Sequence, residues 1–176
     1  QLGESIAEAR IIRLNIAMGD SVVADQEIIE VENNKAMMGV TTPSARFKYR
    51  LISKKAVLFT EMIASQAIYR GDYNKFLKKN SIEEPVVLQV GGSDNELLKF
   101  STNLANKYGY QGVNLNVGCP SKKVSQGRMG ACLMKEADIV RSCVKSMISE
   151  SSSEVSVKCR IGVDEFESYN FFKEFI

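Results

Sequence analysis

Along the chain, apolar and polar residues follow two different patterns. Residues 1–36 hold short apolar runs, Ile11-Ile12, Val22-Val23 and Ile28-Ile29-Glu30-Val31, broken at Gly19-Asp20 and Asn33-Asn34. Runs this short between turn formers predict β-hairpins and no helix. From Met37 onward, strand-like and helix-like stretches alternate. A helix is expected over Arg46–Ser53, after the turn Thr41-Thr42-Pro43-Ser44, where Pro43 suits a first helical turn. Ala56–Thr60 reads as a strand, followed by a helix through Ile63, Ala67 and Ile68. Gly71-Asp72 interrupts, and Tyr73–Lys79 reads as a short helix. Val86–Val90 is an apolar run ending at Gly91-Gly92, which predicts a buried strand. Ser93-Asp94-Asn95 then supplies capping side chains to a helix with Leu97, Phe100, Leu104 and Tyr108 on one side and Gly109 as its stop.

Val113–Val117 is the next strand, and a polar, glycine-bearing loop follows from Ser121 to Gly130. Ile139, Val140, Cys143, Val144, Met147 and Ile148 recur at helical spacing. Ser151-Ser152-Ser153 is a loop, Val155–Arg160 a strand, and Phe166–Ile176 opens another helix. Strands alternating with helices predict an α/β fold, a parallel sheet with right-handed crossovers. The spacing matches about the first five units of an eight-fold barrel. The chain is expected to be truncated, because closing such a barrel takes roughly another hundred residues.

One stretch concentrates the chemistry. In Val113-Asn114-Leu115-Asn116-Val117-Gly118-Cys119-Pro120-Ser121, apolar residues alternate with amides, and then the chain must turn. Cys119 is therefore expected just beyond the C-terminal end of a buried strand, where α/β folds place their active sites. The other strands also end in polar residues: Glu61, Gln89, and Lys158 with Arg160. Ser156, Lys158 and Arg160 alternate with Val155, Val157 and Cys159, so the charges share a face. If that face points inward, two readings stand open: an anionic ligand, or an ion pair with Glu61. Cys132, Cys143 and Cys159 read as small packing residues, while Lys122 and Lys123 lie close enough to Cys119 to influence its thiol or to contact phosphates.

Composition narrows the chemistry. The 176 residues are 44% hydrophobic, carry a net charge of +2 and include no histidine. Histidine acid–base catalysis, Ser-His nucleophiles and most zinc sites are excluded from this chain. Four cysteines without paired spacing predict reduced thiols and a cytoplasmic protein. No apolar run is long enough to span a membrane, and no metal site is expected.

Two resemblances follow from these residues. Residues 1–36 resemble half of a lipoyl (biotinyl-type) carrier domain, through Gly3-Glu4-Ser5, Glu8-Ala9, Gly19-Asp20, Asp25 and Glu30–Ala36, with Lys35 matching the lysine that carries the lipoyl group. Residues 37–176 are similar to the N-terminal part of the tRNA-dihydrouridine synthases, closest to the A-type bacterial branch. The matching runs are Arg50–Lys55, Phe59-Thr60-Glu61-Met62, Leu88–Asp94, Asn114–Ser121, Gly127, Gly130–Met134 and Val157–Asp164.

The second resemblance implies a partial (β/α)8 TIM barrel that binds FMN, takes electrons from NADPH and reduces the C5–C6 bond of uridine in tRNA. It implies Cys119 as the acid that protonates C5. It also implies Met37, Met38, Gln89 and Lys158 around the flavin, with Met37-Met38 in a turn after the first barrel strand. Asn116, Lys122, Arg128 and Arg160 are implied on the substrate side. The Ala-Pro-Met turn of the family is replaced here by Lys35-Ala36-Met37, so the N-terminal segment is expected to be fused, naturally or by assembly, and the fragment inactive alone. Alternatives from other classes are a lipoyl carrier fragment acting through Lys35 and a small-molecule FMN oxidoreductase of the dihydroorotate dehydrogenase kind.

Overall fold

The computed structural model describes residues 10–15, 27–33, 36–41 and 45–176. The chain divides into two compact units, residues 1–54 and 55–176. In the first, β1 (Arg10–Leu14), β2 (Glu27–Asn33) and β3 (Ala36–Thr41) form an antiparallel sheet in that order, followed by helix α1 (Ala45–Ile52). The hairpin pattern read from the short apolar runs is thus realised in these strands. Lys35, Gly19-Asp20 and the turn at 42–44 lie outside the described residues. Met37 and Met38 do not form a turn after a barrel strand: they sit within β3, opposite Glu32 and Val31 of β2. Ala36–Thr41 follows β2 after two residues, and an antiparallel ladder with that neighbour satisfies its backbone groups directly.

The second unit is a parallel sheet with alternating helices. Its elements are β4 (Leu58–Phe59), β5 (Ile63–Ala64), α2 (Ser65–Arg70), α3 (Tyr73–Leu77), β6 (Val86–Gly91), α4 (Asn95–Lys107) and β7 (Gly112–Val117). They continue with α5 (Lys122–Gln126), α6 (Ala137–Glu150), β8 (Glu154–Cys159) and α7 (Tyr169–Phe175). The strand order is β4-β6-β7-β8. β5 also pairs with β6, at Val90 and Gly91, beyond the Leu58–Val86 and Phe59–Val87 pairs of β4. Two short strands therefore share one strand position, and Ile63, expected in a helix, pairs in the sheet instead. This is the α/β architecture of a partial (β/α)8 barrel.

Alternation decides which side chains meet the helices. Val86, Leu88 and Val90 of β6 and Val113, Leu115 and Val117 of β7 are all fully buried, in one cluster with Leu98, Ala105, Val140, Cys143 and Met147. Each such side chain contributes roughly 1.5–3 kcal/mol before entropy is counted. Asp94 caps α4 by accepting from the Leu97 N–H at 3.0 Å, and Gly109 ends it at φ +67°. The buried face of α4 is rotated from the expected one, to Leu98, Ser101, Thr102, Leu104 and Ala105. Ser101 and Thr102 can be buried because their hydroxyls donate to the Leu97 and Leu98 carbonyls at 2.8 and 2.9 Å. On α6 the stripe is Val140, Cys143 and Met147, whereas Ile148 is exposed. Among the described residues, no helix is long and apolar enough to cross a membrane.

Candidate active site

The face of the sheet that carries no apolar alternation is built from amides. Register sets Gln89 of β6 beside Asn114 of β7, and Asn114 beside Ser156 of β8. Paired residues on parallel strands project to the same side, so three polar side chains meet in a row. Gln89 donates from Nε2 to Asn114 Oδ1 at 3.0 Å, and Asn114 donates from Nδ2 to Ser156 Oγ at 3.0 Å. At the other edge, the Gln89 backbone N–H donates to Thr60 Oγ1 at 2.9 Å. Burial of Gln89, Asn114 and Asn116 is tolerable because each amide is paired, and among the described residues no buried side-chain polar atom lacks a partner.

Asn116, one pleat further along β7, joins this row to the thiol. Its Nδ2 donates to Gln89 Oε1 at 2.8 Å. Its Oδ1 accepts the Gly118 N–H at 3.1 Å and the Cys119 N–H at 3.0 Å. This is an Asx-type turn, in which a side-chain oxygen replaces the lost strand ladder and reverses the chain. Cys119 thus stands half-buried just past the C-terminal end of β7, where the sequence places it.

Glycines let the neighbouring loop close on this turn. Gly130 has φ +74°, and a Cβ there would lie 2.5 Å from Cys119 O and 2.7 Å from Val124 Cγ1. The following N–H, of Ala131, donates to Cys119 O at 2.9 Å. The loop after α5 is thereby fastened under the cysteine. At the end of β6, a Cβ on Gly91 would meet Met62 Sδ at 2.8 Å and Met129 Sδ at 3.1 Å. The position after Gln89 on the same face is therefore covered by two flexible methionine side chains.

The charged candidates are more open than expected. Lys158 pairs in register with Asn116 and shares its face, but it is exposed on the outer strand of the sheet. Arg160 lies one residue beyond β8, exposed beside Ile161, Gly162 and Glu167. Neither has an ion pair among the described residues, and neither is buried, so desolvation does not demand an anionic partner for them. Lys122 opens α5 at the surface, and Arg128, at φ 50°, forms an ion pair with Glu136 at 2.8 Å. Cys143 is fully buried, and burial, with Asp94 nearby, pushes its thiol up to about 11. Cys132 and Cys159 pack partly buried against the core. No group of His, Cys, Asp and Glu among the described residues could hold a metal ion.

Sequence reasoning missed Asn114, Ser156 and Thr60 as members of the site. The alternation was visible at Asn114, but its partners come from strands distant in sequence, and only register reveals them.

Comparison with known proteins gives the site its context. The family model for dihydrouridine synthase matches residues 36–176, and the model for biotin-requiring enzyme matches residues 1–45, so the two overlap at 36–45. The tRNA-dihydrouridine(20/20a) synthase of Yersinia pestis is 45% identical over 140 residues, covering 80% of this chain and 40% of that protein. The proteins of the same name from Xanthomonas campestris and Vibrio cholerae are 42% and 45% identical, each with 80% of this chain and 42% of the relative covered. The chain therefore spans about two fifths of the length of these curated relatives. With four fifths of its residues under one family model and the matching region carrying the Cys119 turn, the chain belongs to the dihydrouridine synthase family.

Proposed function

We propose that residues 37–176 form the catalytic part of a flavin-dependent tRNA-dihydrouridine synthase, with residues 1–36 a carrier-like segment. The substrate is uridine in tRNA, at positions 20 and 20a if this chain follows its relatives' names. The reading is carried by one observation: a half-buried thiol, fixed by the Asn116 turn at the C-terminal end of a strand, beside a row of buried amides. A tRNA substrate also implies a cytoplasmic protein, and no membrane partner is invoked.

The residues present fit a flavin. Gln89 has one amide hydrogen and one oxygen lone pair left after its pairs with Asn114 and Asn116, which suits the alternating donors and acceptors of an isoalloxazine edge. Gly91 leaves the next position on that face without a side chain, under the flexible Met62 and Met129. Lys158 supplies a cation on the same face, favouring an anionic ring. FMN, when bound, supplies the reducing equivalent to C6 of the uracil and is reloaded by NADPH.

The chain's own residues handle the proton. Cys119 Sγ–H donates to C5, leaving a thiolate that solvent reprotonates. Asn116 holds the turn that aims this thiol and retains one amide hydrogen for the uracil edge. Lys122, Arg128 and Arg160 are exposed cations available to tRNA phosphates, worth more at low salt. Cys119→Ala in a complete version of the enzyme tests the reading: dihydrouridine formation in tRNA, measured with FMN and NADPH, should fall roughly 10²–10⁴-fold while FMN binding persists. Wild-type turnover by the alanine variant would remove Cys119 from the reaction.

A further inference from the structure

We infer that Asn114 and Ser156 are positioning residues: they close a one-way chain of side-chain amides that fixes the Gln89 amide and, through Asn116, the turn carrying Cys119. The direction of this chain follows from chemistry. The Gly118 and Cys119 backbone N–H groups can only donate, so the Asn116 atom they meet must be Oδ1. Asn116 then turns Nδ2 toward Gln89, which must answer with Oε1. Gln89 Nε2 is left facing Asn114, whose Oδ1 accepts it, and Asn114 Nδ2 faces Ser156. A hydroxyl can accept, so Ser156 terminates the chain without a mismatch.

Reversing Asn116 or Gln89 would set N–H against N–H on one side and oxygen against oxygen on the other, and reversing Asn114 would set its N–H against that of Gln89. All three amides are at most 8% exposed, so water cannot repair such a mismatch. The order in which Gln89 presents its remaining donor and acceptor is thus dictated from the Cys119 end of the row, and Asn114 with Ser156 completes it by holding the Gln89 amide. Asn114 is 3% exposed and, among the described residues, makes its two side-chain bonds inside this row, one to Gln89 and one to Ser156. Its role toward ligands is indirect.

The inference rests on the reading of the Cys119 site, but its test does not. The rate of Cys119 alkylation by iodoacetamide, followed by peptide mass in the full 176-residue chain, reports how firmly the turn is held. Asn114→Leu, which leaves Gln89 Nε2 without its acceptor, should raise that rate roughly tenfold, and Ser156→Ala about threefold, the span of one net hydrogen bond. Ser156→Thr keeps a hydroxyl that accepts from Asn114, so it should stay near wild type. Unchanged rates in Asn114→Leu and Ser156→Ala, or an equal rise in Ser156→Thr, would overturn the inference. If Asn114→Leu does not fold, Ser156→Ala at the half-exposed strand decides alone. No FMN or tRNA enters this measurement, so its failure leaves the proton-transfer assignment standing, and failure of the Cys119→Ala assay leaves the amide chain standing.

Discussion

Gly130 and Gly109 both adopt left-handed backbone, at φ +74° and +67°, yet their surroundings differ. A Cβ on Gly109 would meet nothing nearer than Lys79 Nζ at 3.9 Å, the end of a flexible side chain. Gly109→Ala should therefore cost only the left-handed conformation, about 1–2 kcal/mol. A Cβ on Gly130 would sit 2.5 Å from Cys119 O, and real Cβ atoms essentially never approach within 3.0 Å. The difference, 3.0 minus 2.5, requires a shift of about 0.5 Å in a carbonyl that also accepts the Ala131 N–H. Overpacking of this kind adds roughly 1–3 kcal/mol. Gly130→Ala should thus be about 2–5 kcal/mol less stable than wild type and visibly worse than Gly109→Ala. Urea unfolding of the two variants measures the difference, and Cys119 alkylation should change only in Gly130→Ala. Equal losses in the two variants, or a Gly130→Ala chain with wild-type midpoint and alkylation, would refute the claim that this glycine exists to seat the cysteine.

Three further outcomes are expected. Lys158→Met should lower the midpoint potential of bound FMN, since removing a cation disfavours the anionic reduced ring, and should leave the unfolding midpoint unchanged because Lys158 is exposed and has no ion pair among the described residues; an unchanged potential would show that this lysine does not face the flavin. Cys143, whose thiol is raised from 9.0 to about 11 by burial and by Asp94, binds its proton more tightly folded than unfolded, so stability should fall as pH rises from about 9 toward 11; Cys143→Ala should flatten that fall in urea midpoints measured against pH. Asp94→Ala removes the cap from α4 and should cost about 1 kcal/mol, read by the same unfolding assay, with Cys119 alkylation unaffected.

What the sequence reveals of this molecule is largely what alternation and capping can express. Val113–Val117 reads as a strand because its period is two, and Val86–Val90 because it is a short apolar run ending at Gly91-Gly92. Asp94 and Gly109 mark both ends of α4 by capping chemistry. The buried face of α4 was misplaced because Ser101 and Thr102 look polar to any hydropathy pattern, although their hydroxyls bond back to their own helix. Alternation sets Lys158 and Arg160 on one face but not their burial; β8 lies at the edge of the sheet, which leaves them in solvent. Cys119 was legible because Gly118 and Pro120 force the chain to stop, whereas Met37-Met38 depended on a turn that the ladder with β2 replaces. Residues 1–36 retain their likeness to a carrier domain, while Lys35 lies outside the described residues.

The row of amides also bears on how the molecule folds. Its bonds join residues 29, 25, 27 and 42 positions apart, from Thr60 just after β4 to strands β6, β7 and β8. No local segment holds two adjacent members, so the loop-closure entropy of three strand pairings must be spent before any of these bonds can form. Helices α4 and α6 can appear early on local signals, but the thiol gains its orientation only when β6, β7 and β8 are all in register. A partly folded chain would carry native helix content and a cysteine that reacts as in an unstructured peptide. Pulsed alkylation during refolding should therefore show Cys119 protected at the slowest phase, later than the recovery of helical circular dichroism.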